Sequence, residues 1–177
     1  MALLLRKTRE AYKQDPNAGA NANYIAPFSP SPAAMIDTVL DRLHLRTSDV
    51  VYDLGCGDGR WLLGAARRGA RAVGIEIDGA LVARARASAQ QAGPEVASRM
   101  EVLKGDLFAA MEGEAFRRAT VIIVYAFATA LGRIQSCLTT LPAGVRIVSV
   151  GFTPKGNDWA PQWTERVTGL RVSLYTR

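Results

Sequence analysis

Only one histidine, two cysteines and 7% aromatic residues occur in these 177 residues, and each scarcity excludes something. Cys56 and Cys137 show neither metal-ligand nor redox spacing, so no zinc or dithiol site is expected. Cys56, set between two glycines, reads as a small space-filling residue and not as a nucleophile. His44 sits on an apolar helical stretch ahead of the first strand and reads as structural, not as a catalytic base. No apolar run approaches the roughly eighteen residues that a membrane-spanning helix needs. No strand is both basic and studded with aromatics, so the stacking surface of common RNA-binding modules is missing. What is there, 49% hydrophobic and 21% charged residues, is ordinary for a globular chain long enough to close one substantial core. The net charge of +6 is a mild signal for an acidic or membrane-bound partner. Much of the excess (Arg67, Arg68, Arg71, Arg84, Arg86) is spread around the first two helical stretches, as on a solvated helix face.

The most informative stretch is Val50-Val51-Tyr52-Asp53-Leu54-Gly55-Cys56-Gly57-Asp58-Gly59-Arg60. A buried-type strand ends in an acid, and three glycines at alternate positions lead into a helical pattern. Glycines there let the backbone turn tightly and approach a ligand with no Cβ in the way. A dinucleotide site needs its third glycine where Arg60 stands, so that pyrophosphate can sit on the helix N-terminus. Asp53 and Asp58 would repel that pyrophosphate. The acid suits a ligand with a cationic amino group and no phosphates, which describes S-adenosylmethionine. The spacing resembles the first motif of the seven-strand methyltransferases.

Two further strand-end acids follow. Arg71–Asp78 reads as a strand whose Glu76, roughly twenty residues past the glycine turn, can take both ribose hydroxyls. A third strand, Met100–Leu103, runs into Gly105-Asp106-Leu107. The remaining pattern alternates strands (Val50–Leu54, Ala72–Glu76, Met100–Leu103, Thr120–Tyr125, Arg146–Val150) with helices (Arg60–Arg68, Gly79–Ala92, Leu107–Arg117, Ala128–Leu138). That predicts an α/β domain with a doubly wound, Rossmann-like parallel sheet. Gln162–Val167 and Arg171–Tyr175, split by Thr168-Gly169, read as a terminal antiparallel hairpin that completes seven strands. No helical period occurs between Phe152 and Pro161, so the usual last helix is expected to be lost.

The chain before the sheet divides in two. Residues 1–23 form an arm and linker, apolar then basic at the start and turn-rich from Asp15 to Asn23. The arm fits either a brief organellar targeting segment or a docking helix, and the compartment, mitochondrial or cytoplasmic, stays open. Residues 24–177 form the cofactor-binding domain. Its strap, Tyr24-Ile25-Ala26-Pro27-Phe28-Ser29-Pro30-Ser31-Pro32, is stiffened by prolines and leads into a helix over Ala33–Leu43. Ser31 is expected to cap that helix and Pro32 to fill its first turn. Such a strap, just ahead of the first strand, can fold over the cofactor.

The strap, the glycine turn, Ala72-Val73-Gly74-Ile75-Glu76 and Leu141-Pro142-Ala143-Gly144-Val145-Arg146-Ile147-Val148-Ser149 occur in that order, followed by a turn carrying Trp159. This resembles the small mitochondrial protein-lysine methyltransferases of the ATP synthase c-subunit and adenine nucleotide translocase type, and more distantly the Dot-type histone lysine methyltransferases. The resemblance implies S-adenosylmethionine as cofactor, S-adenosylhomocysteine as product and a protein lysine as acceptor. It implies Asp53, Gly55, Gly57 and Glu76 as cofactor ligands, Asp106 beside the adenine amino group, and Ser31, Cys56, Ile77, Leu107 and Tyr125 completing that set. The family strap carries tyrosine where this chain has Phe28. Tyr125, Phe127 and Phe28 are the expected acceptor wall. The segment after strand four has no Asn/Asp-Pro-Pro-aromatic motif for base methylation and no acids for a catechol-type metal between Thr120 and Leu131. Methylation of RNA or a small molecule, and a non-catalytic role in a larger assembly, remain the alternatives. The oligomeric state is left open.

Overall fold

The computed structural model describes residues 26–126, 128–154, 156 and 159–177. The arm, its boundary with the domain and Phe127 lie outside the described residues. The elements are α1 (Ala33–Leu43), β1 (Val50–Leu54), α2 (Arg60–Arg67), β2 (Arg71–Glu76), α3 (Gly79–Gln91), α4 (Pro94–Arg99), β3 (Met100–Lys104), α5 (Leu107–Glu112), β4 (Val121–Val124), α6 (Ala128–Leu138), β5 (Arg146–Val150), β6 (Trp163–Val167) and β7 (Leu170–Thr176). They build a seven-stranded sheet in the order β3-β2-β1-β4-β5-β7-β6. The first five strands are parallel and β7 inserts antiparallel between β5 and β6.

Strand alternation divides the core between the two faces. Val51, Ala72, Ile123 and Val148 face α1, α2 and α3, while Tyr52, Ile75, Ile122 and Ile147 face α5, α6 and Trp159. Strands buried on both faces read as near-continuous apolar runs, which is why the sequence pattern located them within a residue or so. On the first face α2 presses against α1 at Gly64, where a Cβ would stand 2.7 Å from Leu40. The hairpin turn at Thr168-Gly169 has both residues at positive φ, the geometry that lets two strands close without splaying.

Several expectations need correction. The helix predicted over Leu107–Arg117 is broken: α5 stops at Glu112, Gly113 takes extended backbone, and Glu114–Arg118 forms a separate 3₁₀ turn. A short helix, α4, was not foreseen, although Gly93 at positive φ followed by Pro94 in the first helical turn is a start signal. Ser31 does not cap α1: Pro32 holds the cap position, and its carbonyl accepts from Met35 and Ile36. His44 lies just beyond α1, exposed and left-handed at φ 46, so it ends the helix and is not part of its apolar face. Between residues 152 and 161 no helix is present among the described residues, and none of the described helices is long and apolar enough to cross a membrane.

Candidate active site

In a parallel sheet every strand's carboxyl end opens on the same edge, and the edge here is acidic. Asp53 precedes Leu54 at the end of β1, Glu76 ends β2, and Asp106 follows β3 as the N-cap of α5, accepting from the amide of Phe108 at 2.8 Å. The topology therefore gathers three acids that lie far apart in sequence, as expected.

The glycine turn joins the first two of them. Gly55, Gly57 and Gly59 all sit at positive φ (83°, 55° and 78°), where side chains are strained. The amides of Gly55 and Cys56 donate to the Ile75 carbonyl, folding the turn back on β2. Glu76 then braces it: one carboxylate oxygen accepts from the Gly57 amide at 2.8 Å and the other from the Asp78 amide at 2.9 Å. Each oxygen keeps a lone pair, so a ligand hydroxyl can be received by an already oriented carboxylate. Gly74, beside Asp53 in the sheet, leaves room for Cys56, whose Sγ would stand 2.6 Å from a Cβ there. Cys56 is thus packing, and burial together with the charges of Asp53 and Glu76 pushes its thiol pKa far up, away from reactivity.

Asp53 is 3% exposed, and among the described residues no hydrogen bond reaches its carboxylate. Burial, then the neighbouring charges of Glu76 and Asp58, raise its pKa to about 8. Among the described residues no cation offsets it. A buried carboxyl held this way is complementary to a cation that is not part of the protein.

The other expected residues are placed as follows. Ile77 is half-buried directly after Glu76, and Leu107 is buried in the core beneath α5. Ser31 is buried, with its Oγ accepting from the indole N–H of Trp61 at 3.0 Å and its carbonyl taking a bond from Arg60. Tyr125 is half-buried at the end of β4 on the same face as Asp53, its ring 3.4 Å from where a Gly151 Cβ would stand. Phe28, 38% exposed, lays its ring on Gly57. Phe127 lies outside the described residues. Arg60, Trp61 and Arg84, none of them an expected site residue, hold the strap to the turn.

A seven-stranded sheet in this order, with an acid-flanked glycine turn at the carboxyl edge of its first strand, defines a seven-strand S-adenosylmethionine-dependent methyltransferase. The profile of the family described as the ANTKMT methyltransferase domain matches residues 53–163, and the chain belongs to that family. It is 32% identical over 139 residues to a protein-lysine N-methyltransferase of Saccharolobus islandicus, spanning 77% of this chain and 81% of that protein. It is 30% identical over 136 residues to the ATP synthase C-subunit lysine N-methyltransferase of Xenopus laevis, spanning 76% of this chain but only 56% of that protein. Among solved structures it superposes on an RNA methyltransferase from Salinibacter ruber in complex with S-adenosyl-L-homocysteine, with a TM-score of 0.73 and 37% identity, covering 84% and 93% of the two chains.

Proposed function

We propose that the enzyme methylates a protein lysine, with the cofactor held by Asp53, the Gly55–Gly59 turn, Glu76 and Asp106. The charge division of the sheet carries the reading. At the carboxyl edge of β1, β2 and β3 stand Asp53, Asp58, Glu76, Asp78 and Asp106, while the nearby Arg60 and Arg84 both face Asp58. Lys104 at the outer strand and Arg133, whose guanidinium lies 3.9 Å from the Phe108 ring centroid, are further cations near that edge among the described residues. Arg67, Arg71, Arg99, Arg117, Arg118 and Arg146 lie at the opposite edge, where strands begin. An RNA acceptor brings a phosphate with every nucleotide and needs cations around the site. A lysine side chain is drawn to acids. The lysine-modifying relatives from Saccharolobus and Xenopus support the same assignment.

The site fits the cofactor on two counts: a turn whose Gly55, Gly57 and Gly59 all sit at positive φ, and a buried carboxyl at Asp53 that no cation among the described residues offsets. Bound S-adenosylmethionine supplies an electrophilic methyl group on a sulfonium, with S-adenosylhomocysteine as product. Asp53 is the counter-charge for the amino group, Glu76 the ribose acceptor and Asp106 the adenine-side acid. Alignment of donor and acceptor can remove roughly 7–11 kcal/mol of the barrier. The acceptor amine must arrive neutral although its ordinary pKa is about 10.4. The rings of Tyr125 and Phe28 provide apolar surface that disfavours the charged form.

The test is transfer from methyl-labelled S-adenosylmethionine into a total cell extract, followed by separate nuclease and protease treatment and amino-acid analysis. Label recovered as N-methyl-lysine is expected. Label that nuclease releases would overturn the lysine assignment in favour of RNA, the acceptor that the name of the Salinibacter enzyme gives.

A further inference from the structure

The glycine turn is also the anchor of the strap ahead of α1. Asp58, with 13% of its side chain exposed, receives Arg60 in a two-pronged pair: Nη2 to Oδ2 at 2.6 Å and Nε to Oδ1 at 2.9 Å. A second guanidinium, Arg84, stands 3.7 Å from the same carboxylate. These two arginines reach different points of the strap, Ser31 near its end and Phe28 at its middle. Nη1 of Arg60 donates to the Ser31 carbonyl at 2.8 Å, next to the Trp61–Ser31 bond. The guanidinium of Arg84 lies over the Phe28 ring, 5.6 Å from its centroid. That ring presses so closely on Gly57 that a Cβ there would meet it at 2.6 Å.

Helix stability does not explain Arg60. It is the first residue of α2, which has no acid in its first turn, so its charge sits at the positive end of the helix dipole. Its fork does explain it. Three donor nitrogens serve three acceptor oxygens on two separate segments, which a lysine ammonium cannot match in that planar geometry.

We infer that Arg60 is a positioning residue: bridging Asp58 and Ser31, it locks the strap onto the glycine turn, seats Phe28 over Gly57 and thereby sets how tightly the cofactor is retained. The inference rests on the cofactor site proposed above and not on the identity of the acceptor. Without the bridge the strap keeps the surface contact of Phe28 and the single Trp61–Ser31 bond, and its roof over the turn opens.

The experiment begins with calorimetric titration of the wild-type protein with S-adenosylhomocysteine. A folded wild type that does not bind would refute the cofactor site itself. With binding established, Arg60→Lys is expected to raise the S-adenosylhomocysteine Kd and the S-adenosylmethionine KM about tenfold, with kcat changed far less. Exchange of the Trp61 indole N–H, which donates to Ser31 Oγ, is expected to quicken about tenfold while the amides of β1 and β4 keep their protection. A merely structural arginine would lower the melting temperature and leave Kd and indole exchange alone. Kd and exchange within twofold of wild type would overturn the inference. Should Arg60→Lys fail to fold, Arg84→Gln, at a side chain 61% exposed, takes its place. It is expected to raise the S-adenosylhomocysteine Kd severalfold by freeing Phe28 while the Trp61 indole N–H keeps its protection, and an unchanged Kd would equally overturn the clamp.

Discussion

Asp49, just before β1, and Asp53, near its carboxyl end, lie four residues apart, 7% and 3% exposed, and the chain treats them in opposite ways. Asp49, at the amino end, is surrounded by donors: the Arg46 amide at 2.7 Å, the Thr120 hydroxyl at 2.7 Å and Nη2 of Arg146 at 2.6 Å. Burial pulls its pKa up, but those donors together outweigh it and hold the carboxyl below its usual range. The Thr120 hydroxyl oxygen in turn accepts from the Val50 amide, and Arg146 donates to the Leu43 carbonyl, so the starts of β1, β4 and β5 are tied together. Asp53, at the carboxyl end, receives no hydrogen bond among the described residues, and its pKa is pushed up to about 8. A buried carboxylate satisfied by its own chain holds the fold. One left unsatisfied is complementary to something that arrives.

Exchanging each for a neutral residue should separate the two roles. Asp53→Asn is expected to cost the cofactor roughly a thousandfold in affinity, about 4 kcal/mol, the loss typical of truncating one side of a buried charge pair. Its melting temperature should hold or rise, because an uncompensated buried acid has been removed. Titration calorimetry and thermal unfolding on one sample check both, and wild-type affinity in the variant would end the counter-charge reading. Asp49→Ala should do the reverse: a loss of about 3 kcal/mol in unfolding free energy, since Arg146 and Thr120 lose their acceptor. Cofactor affinity of the folded fraction should not change.

Such a division was half legible from sequence. Apolar runs ending in Asp53, Glu76 and Asp106 mark strand ends, and a parallel sheet must bring strand ends to one edge, so the acids could be gathered before any coordinates. The break after α5 was also written, in Gly113 between two glutamates, but amphipathic spacing on either side outvoted it. The strap clamp was not legible at all. Arg60 and Ser31 are 29 positions apart, and no periodicity links an arginine in a glycine turn to a carbonyl in a proline-rich segment. Ser31 beside Pro32 read as a helix cap because caps are local signals; its real partner, Trp61, comes from another element. Asp49 was passed over for the same reason, its donors arriving from three separate segments.

The two aspartates should also answer pH with opposite sign. A carboxyl whose pKa is raised on folding favours the folded state most at low pH, and its contribution erodes as pH rises from the unfolded value of 3.8 towards about 8. Asp49, lowered on folding, contributes above the unfolded pKa and loses that contribution as pH falls through its folded value. Cofactor binding should select ionised Asp53. Below about pH 8 affinity is expected to fall towards tenfold per pH unit, with up to one proton released on binding, and to level off above it. Calorimetry in buffers of different ionisation enthalpy measures that proton directly. Equal affinity at pH 6 and pH 8 would show that Asp53 does not meet the cofactor's charge.

The smallest effect sharpens the comparison furthest, because it holds distance constant. Arg42 meets Glu165 at 2.6 Å, the separation that Arg146 keeps from Asp49. The first pair has side chains 48% and 45% exposed, the second 25% and 9%. In water-like surroundings the attraction is screened and two long side chains must be ordered to make it, so a double-mutant cycle on Arg42 and Glu165 should give about 0.5 kcal/mol. Arg42→Ala alone should cost somewhat more, because its guanidinium also lies 5.0 Å from the Trp163 ring centroid and its stem covers apolar surface. Half-molar salt should erase most of the Arg42–Glu165 coupling and little of that between Arg146 and Asp49. Equal couplings in the two cycles would mean that contact distance, and not burial with complete hydrogen bonding, decides what a carboxylate is worth in this sheet. The contrast between Asp49 and Asp53 would then lose its physical basis.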